Sequence, residues 1–441
     1  MSTIDQLMQR IRVKIGRLKR LCVESPEDFL HLYAEVHSLS SDYEDFHILV
    51  DELDKELARD YLVRSQMRSL EAMKESLASE AREFSSREDS IYSSLLSFET
   101  ALNLLGRDLD SLTRRSASGE GDGVVIVDDG LPGYVVSEER LKALCRCVDV
   151  GMDDVVAEFF FKTKATLREV LFACAQAGCL PEYVPVVLAA LRAMAEEGFM
   201  LLSVLTTEYP CWPLVLVNGP VMREIGMNWR GGSFGPGNRA NSTIGRAVSR
   251  FLMRFFGARK LAQGAPTQYS YCSCENEEES PWGPMHVDRG FNRSESTVTV
   301  FAAEPPHAVT DHVSRSGEDL LTVFAKTIAT PGKYSAYFGG EVLVVFGLDH
   351  ARLLAEDGWG KSDIRRFIFE NARIEKSLLR GRGEWGLDSG AQEWLDLFGD
   401  GPVPSVRSPE DVSVVASALK GRHSLVIPTF ARSRSVTRRV G

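Results

Sequence analysis

The sequence predicts an α/β domain, a sheet covered by helices, preceded by an N-terminal all-α arm that forms a coiled coil or a helical bundle. Three observations predict it. Apolar residues recur at alternating spacings of four and three before position 115, a run of small residues follows, and short apolar strands then alternate with helical stretches. A chain of 441 residues, 44% hydrophobic, can bury a substantial core in more than one unit.

The arm comes first, over residues 1–115. Ile4, Met8, Ile11, Ile15, Leu18 and Cys22 keep the a/d spacing of a helical seam. Ser25-Pro26-Glu27-Asp28 then reads as a helix start, with a capping hydroxyl, proline in the first turn and carboxylates at the positive end of the helix dipole. Ile91, Leu95, Phe98, Leu102, Leu105, Leu109 and Leu112 hold the same alternation. Such a seam is filled either by a second copy, giving a homodimer, or by the arm folding back on itself.

Ser116-Ala-Ser-Gly-Glu-Gly-Asp-Gly123 marks a linker, assigned to residues 116–130. The α/β core is expected over 131–385. Its signals are a helix from Thr166 to Ala177 and the strands Leu214–Val217, Thr297–Phe301 and Glu341–Phe346. Leu214-Val-Leu-Val-Asn-Gly-Pro220 and Val342-Leu-Val-Val-Phe-Gly-Leu348 each run from an apolar strand through glycine toward a helix, which hints at a duplicated unit. Residues 386–441 are expected to pack on this core and to end in a basic tail carrying Arg407, Lys420, Arg422, Arg432, Arg434, Arg438 and Arg439.

A net charge of −11 excludes general nucleic-acid binding, which needs a cationic face. The most apolar stretch, Tyr183–Leu191, is too short for a membrane span, and the opening residues show no secretory signal, so a cytoplasmic location is expected. In that setting the eight cysteines stay reduced. Cys145/Cys147, Cys174/Cys179 and Cys272/Cys274 lack the C-x-x-C spacing of zinc or thioredoxin-type sites and read first as buried small residues.

Two segments carry chemistry. In Gly231–Arg246, four glycines precede a helix expected to be capped by Asn241, Ser242 or Thr243. A glycine-rich loop before a helix N-terminus suits a small anion. Gly235, Gly237, Asn238, Arg239, Asn241, Ser242, Thr243 and Arg246 are the expected contacts. It is neither a Walker loop nor a dinucleotide fingerprint.

The second segment, Glu275–Phe291, crowds Glu275, Glu277, Glu278, Glu279 and His286, and His307, Asp311 and His312 follow. His286, His307, Asp311 and His312 are candidate ligands of a divalent metal, and His350 can join the set. Alternatively His286, His312, Glu275 and Glu277 form a cofactor-free acid/base site, or the histidines are structural.

Several of these runs occur in the same order in a bacterial family of unassigned chemistry, which the chain resembles over roughly residues 150–441. They are Leu-Val-Asn-Gly-Pro220 with Arg223-Glu-Ile-Gly-Met-Asn228, the stretch Gly235–Ala247, Glu275–His286, Pro306–His312, Asp349-His-Ala and Asp357-Gly-Trp-Gly-Lys361. Members of that family accompany, or are fused to, a small domain with a Sec-Gly-Ser-Cys or Cys-Gly-Ser-Cys motif, similar to selenoprotein B subunits of glycine-reductase-type enzymes. The resemblance therefore implies reductive chemistry with a thiol or selenol protein as partner. This chain has no such motif, and the helical arm is not part of the pattern. It also reads Val415-Ala-Ser-Ala-Leu-Lys-Gly-Arg-His-Ser424 where the family tends to have a glycine loop, so Ser417 and Ala418 would restrict backbone approach to a ligand.

The function expected from all this is an enzyme acting on a small anionic substrate by reductive or lyase-type chemistry. The alternatives are a non-catalytic scaffold recruiting a partner through its coiled coil, and a thiol oxidoreductase using Cys174/Cys179 or Cys272/Cys274.

Overall fold

The computed structural model describes residues 124–127, 129–258, 264–417 and 421–441. The arm's heptads, the helix start at Ser25, the small-residue run 116–123, and Ala418 and Lys420 lie outside the described residues. The chain divides into two compact units. Of the first, residues 124–132, 158–165 and 251–258 are described. Val124–Ile126, inside the segment expected to be linker, is a strand. Phe159, Phe251, Phe255 and Phe256 cluster in this unit, with the Phe159 and Phe256 rings 5.0 Å apart edge to face.

The second unit is α/β, as expected, with helices on mixed sheets. Its two four-stranded sheets contain β1 Trp212–Asn218, β2 Cys272–Cys274, β3 Thr297–Ala303, β4 His307–Thr310, β5 Val342–Gly347, β6 Val412–Ser417, β7 His423–Pro428 and β8 Val436–Arg439. The helices that matter below are α1 Leu167–Ala177, α2 Val184–Met194, α3 Arg239–Phe255, α4 Met285–Asp288, α5 Gly317–Ile328, α6 Tyr334–Phe338, α7 Leu348–Glu356 and α8 Lys361–Asn371. Strands β1, β3 and β5 are buried along their whole length, which is why they read as unbroken apolar or threonine-rich runs instead of alternating ones.

The first sheet has the order β8-β3-β1-β2 and the second β6-β5-β7-β4. In each, a central strand pairs in parallel with one neighbour and antiparallel with another, and that one pairs antiparallel with the fourth. Across the first sheet, Ser273, Leu216, Thr299 and Thr437 stand in one row. Across the second the row is Val415, Val345, Leu425 and Ala308.

Superposing these rows makes the ends of the longer strands coincide. It also makes Ala303 equivalent to Thr429, and these two residues form a bridge with each other. Around that bridge Glu304 N donates to Pro428 O (2.9 Å) and Phe430 N to Ala302 O (2.8 Å), a reciprocal pair with the form of a local two-fold. The duplication hinted at by the two strand-glycine runs therefore extends to four strands per half, and the fourth strands are exchanged: β4 follows β3 in the chain but pairs with β7, while β8 follows β7 and pairs with β3.

This topology corrects the expectation for residues 386–441. They do not merely pack on a finished core; they supply β6, β7 and β8, three of the eight strands. Arg434 pairs with Asp411, Arg438 with Glu196 and Arg439 with Glu295, while Arg407 and Arg422 donate to the carbonyls of Phe338 and Ser314.

Around the second sheet, Leu320, Leu321, Phe324 and Ile328 of α5 and Ile364 and Ile368 of α8 close over Val342, Val344, Val412, Val414 and Val426. Burying side chains of this size stabilises by roughly 1.5–3 kcal/mol each. On the first sheet α2 packs against β3 and β8, so its residues are buried on nearly every side. No helix among the described residues is long and apolar enough to cross a membrane.

Candidate acid/base site

Strand β1 ends at Asn218 and turns at Gly219, whose φ of +87° and closeness to the Glu295 carbonyl leave no room for a side chain. Parallel to it, β2 ends at Cys274 and delivers Glu275, Asn276 and Glu277 beside that turn. The crevice beyond the carboxyl ends of adjacent parallel strands is where α/β sheets present their functional groups.

Here three of the four expected acid/base residues meet. Glu275 Oε2 accepts from Asn218 Nδ2 (2.7 Å) and from the backbone N–H of Met285 at the start of α4 (2.8 Å). Glu277 Oε1 accepts from Asn218 Nδ2 (2.9 Å) and Gly219 N (2.8 Å) and lies 3.6 Å from His286 Nδ1. Lys361, the first residue of α8, places Nζ 3.8 Å from Glu275 Oε1 and donates to Asp288 Oδ2 (2.9 Å) and Gly283 O (2.5 Å). Arg365, one turn further along α8, donates to the same Asp288 oxygen (3.0 Å).

Asn218, Glu275 and His286 are fully buried. The cluster approaches the surface through Asp288 and Arg365, whose side chains are each 25% exposed. Burial pushes the Glu275 carboxyl up to about 7; Lys361 and the Met285 and Asn218 hydrogen bonds pull the other way, and Glu277 adds to the rise. Among the described residues the site also leaves buried polar atoms without hydrogen-bond partners: Asn218 Oδ1, Glu275 Oε1 and both ring nitrogens of His286. Each such atom costs about 1–3 kcal/mol, and such groups in a folded protein call for an explanation.

The remaining carboxylates of the acidic run are paired. Glu278 meets Arg223 (2.9 Å) and Arg230 (3.4 Å), and Glu279 accepts from Asn276 Nδ2 (3.0 Å). The crowding in the sequence is thus relieved by partners that only the fold brings near.

His312 is not in this site, and the expected metal set does not form. No group of three or more His, Cys, Asp or Glu among the described residues is arranged to hold a metal ion. His307 opens β4 opposite Val426, and burial followed by the charge of Lys333 pushes its imidazole down. Asp311 is engaged by the backbone of Val313 and Ser314 and by the Ser314 hydroxyl (2.9, 2.8 and 2.5 Å). The His312 ring packs 4.9 Å from that of His423. His350 bridges Ser424 Oγ (2.8 Å) and Asp311 O (2.9 Å) as a structural tie.

The glycine loop is held by its own polar groups. The cap of α3 is Asn238, one residue before the helix, whose Oδ1 accepts from Asn241 N (3.1 Å) and whose Nδ2 donates to Gly226 O (2.9 Å). Asn241 Nδ2 donates to the carbonyls of Asn228 (2.9 Å) and Ser233 (3.1 Å), and Thr243 Oγ1 donates to Arg239 O (2.8 Å). Arg239 caps the C-terminus of α1 by donating to Gly178 O (3.0 Å). Ser242 O accepts from Ser270 Oγ (2.9 Å), Gly235 N donates to Gly232 O (2.8 Å), and Gly237 takes a φ of +117°. Arg246 is also engaged. Ser417, the residue expected to restrict this region, shares a hydrogen bond of 2.7 Å with the buried hydroxyl of Ser233 and so ties the loop to β6.

The two cysteine pairs of the thiol reading are free and buried. A hydrogen bond with Cys179 and burial push the Cys174 thiol well up, and burial does the same to Cys272 and Cys274. Protonated thiols of this kind are poor nucleophiles. An open cleft of about 390 Å³ lies elsewhere, between Asp357–Trp359 and the Asp363, Arg366 and Phe367 side of α8, and includes none of the Glu275 cluster. No protein-family model matches the chain, and no curated protein matches it either.

Reasoning from the sequence missed Asn218, Asp288 and Arg365 as members of the site, and Lys361 entered only as the end of a shared run. Asn218 had a usable signal: a polar residue closing an otherwise apolar strand just before glycine. Arg365 is one of several basic residues on an amphipathic helix, and nothing local distinguishes it.

Proposed function

We propose that this protein is an enzyme in which Glu275 exchanges a proton with a small anionic substrate, in lyase-type chemistry next to a carbonyl or carboxylate. One observation carries this reading: a fully buried carboxyl with one oxygen fixed by Asn218 and Met285 and the other free, 3.8 Å from an ammonium. Near pH 7 such a group is present in both protonation states, the condition under which a general acid/base works best.

In this reading Glu277, fixed by Asn218 and Gly219, orients His286 as a second proton carrier. Lys361 steadies negative charge developing on the substrate oxygen. Arg365, whose Nε is buried without a partner, receives the substrate's anionic group. The anion contact is assigned to α8 because Asn238, Arg239, Asn241 and Thr243 of the glycine loop already serve protein partners. Reductive chemistry, which the family resemblance implies, would require a thiol or selenol from a partner protein, since both cysteine pairs are buried and the Cys174, Cys272 and Cys274 thiols are pushed well up.

The test is exchange of substrate hydrogen for deuterium in heavy water, followed by proton NMR over a panel of small hydroxy, keto and amino acids. The wild type is expected to wash out the hydrogen next to the carbonyl of at least one acid. Glu275→Gln should slow this by about 10²–10⁴-fold while remaining folded. Exchange at the same rate in Glu275→Gln would refute the assignment.

A further inference from the structure

A second buried ionisable pair lies outside the Glu275 site, where the two halves of the duplication meet. Glu304 follows the Ala303–Thr429 bridge, and Lys333 precedes α6. Their side chains are only 5% and 8% exposed, yet Nζ stands 3.9 Å from the nearer Glu304 oxygen, beyond hydrogen-bond reach. Among the described residues Lys333 Nζ has no hydrogen-bond partner, and neither has Glu304 Oε1. Two tyrosines also reach Glu304: the Tyr209 hydroxyl bonds its carboxylate, and the Tyr271 hydroxyl donates to its backbone carbonyl (2.8 Å). Aromatic rings line the neighbourhood, with Tyr209 and Tyr334 4.3 Å apart and Tyr334 and Phe430 5.1 Å apart.

An ammonium in this position buries three N–H donors with no hydrogen-bond acceptor among the described residues, so giving up a proton to expose the lone pair costs Lys333 less than it costs an exposed lysine. Burial accordingly pushes Lys333 down and Glu304 up. We infer that Lys333 is a covalent site for small aromatic aldehydes, which it captures as an imine with Glu304 as its proton relay. The amine lone pair attacks the carbonyl carbon, forming the C–N bond, and the carbonyl oxygen takes the Glu304 proton. Nitrogen passes a proton to the carboxylate, Glu304 hands it to the hydroxyl as water leaves, and the iminium nitrogen returns its last proton to the carboxylate, so the net reaction is amine plus aldehyde giving imine plus water, with no change of oxidation state. The neighbouring Tyr209, Tyr334 and Phe430 rings favour an aromatic aldehyde, and burial disfavours an anionic one.

The experiment uses the full chain with benzaldehyde at limiting concentration, cyanoborohydride to fix any imine, and peptide mass mapping. A benzyl adduct at Lys333 ahead of the exposed lysines is expected, with at least tenfold slower labelling of Lys333 in Glu304→Gln. Because the decisive reading is made on the wild type, it does not depend on a variant folding. Adducts spread over exposed lysines with Lys333 unmodified would overturn the assignment.

Discussion

The two halves of the larger unit share a strand plan and differ in what stands at the ends of their parallel strands. In the first half those positions hold Asn218 and Glu275; the register equivalents in the second half are Gly347 and Ser417. The first half buries a carboxyl, an imidazole and an amide with unsatisfied atoms, whereas the second surrounds its strands with the valine, leucine and phenylalanine core of α5 and α8. A duplicated architecture thus offers the same crevice twice, and under the proposed function only the one at Glu275, completed by Lys361 and Arg365 of α8, carries acid/base groups. Function resides in the residues grafted onto the frame and not in the frame itself.

The comparison can be broken or sharpened by experiment. The largest effect is expected on catalysis, where Glu275→Gln should abolish nearly all proton exchange and Ser417→Ala, at the equivalent place, should leave it within about twofold. Next comes the pH dependence of stability. The folded-state pKa of Glu275 is raised from 4.5 to about 7, so the folded protein holds a proton that the unfolded chain releases. The resulting stabilisation is complete below pH 4.5 and is lost as pH rises through 7, an effect on the order of 3 kcal/mol. Urea unfolding at pH 5 and pH 8 should show a clearly larger loss in the wild type than in Glu275→Gln, which keeps only the contributions of other raised carboxyls such as Glu304.

The strand-end glycines give a closer contrast. Gly219→Ala adds a methyl against the Glu295 carbonyl at a φ of +87° and should cost about 3 kcal/mol together with activity, because Gly219 N holds Glu277. Gly347→Ala meets the His423 carbonyl, but at a φ of −62°, and should cost about 2 kcal/mol while the remaining folded protein keeps its activity. The smallest effect is the loss of the Ser233–Ser417 hydrogen bond in Ser417→Ala, roughly 1 kcal/mol by denaturation.

How far the sequence could be read follows from what is local. Apolar runs located β1, β3 and β5 to within a few residues, and the Thr166 helix began one residue later, at Leu167. Glu275, Glu277 and His286 were found because they are close in sequence and the turn between β2 and α4 folds them together. His307 and His312 were grouped with them by residue type, but their strand pairs with β7 in the other sheet, a choice fixed by long-range register. The glycine loop showed the right composition for an anion site, while the partners that occupy its side chains, Gly178, Gly226 and Asn228, lie 12 to 61 residues away along the chain. The same limit hid the strand exchange, since β8 closes the first sheet from the far end of the sequence.

The most direct measurement is a carbon-13 NMR titration of glutamate side-chain carboxyls, with the Glu275 signal assigned by its loss in Glu275→Gln. A midpoint near 7 is predicted, well apart from the exposed glutamates. A midpoint near 4.5 would mean that the buried carboxyl is simply an ion-paired structural group, and the acid/base account would fall.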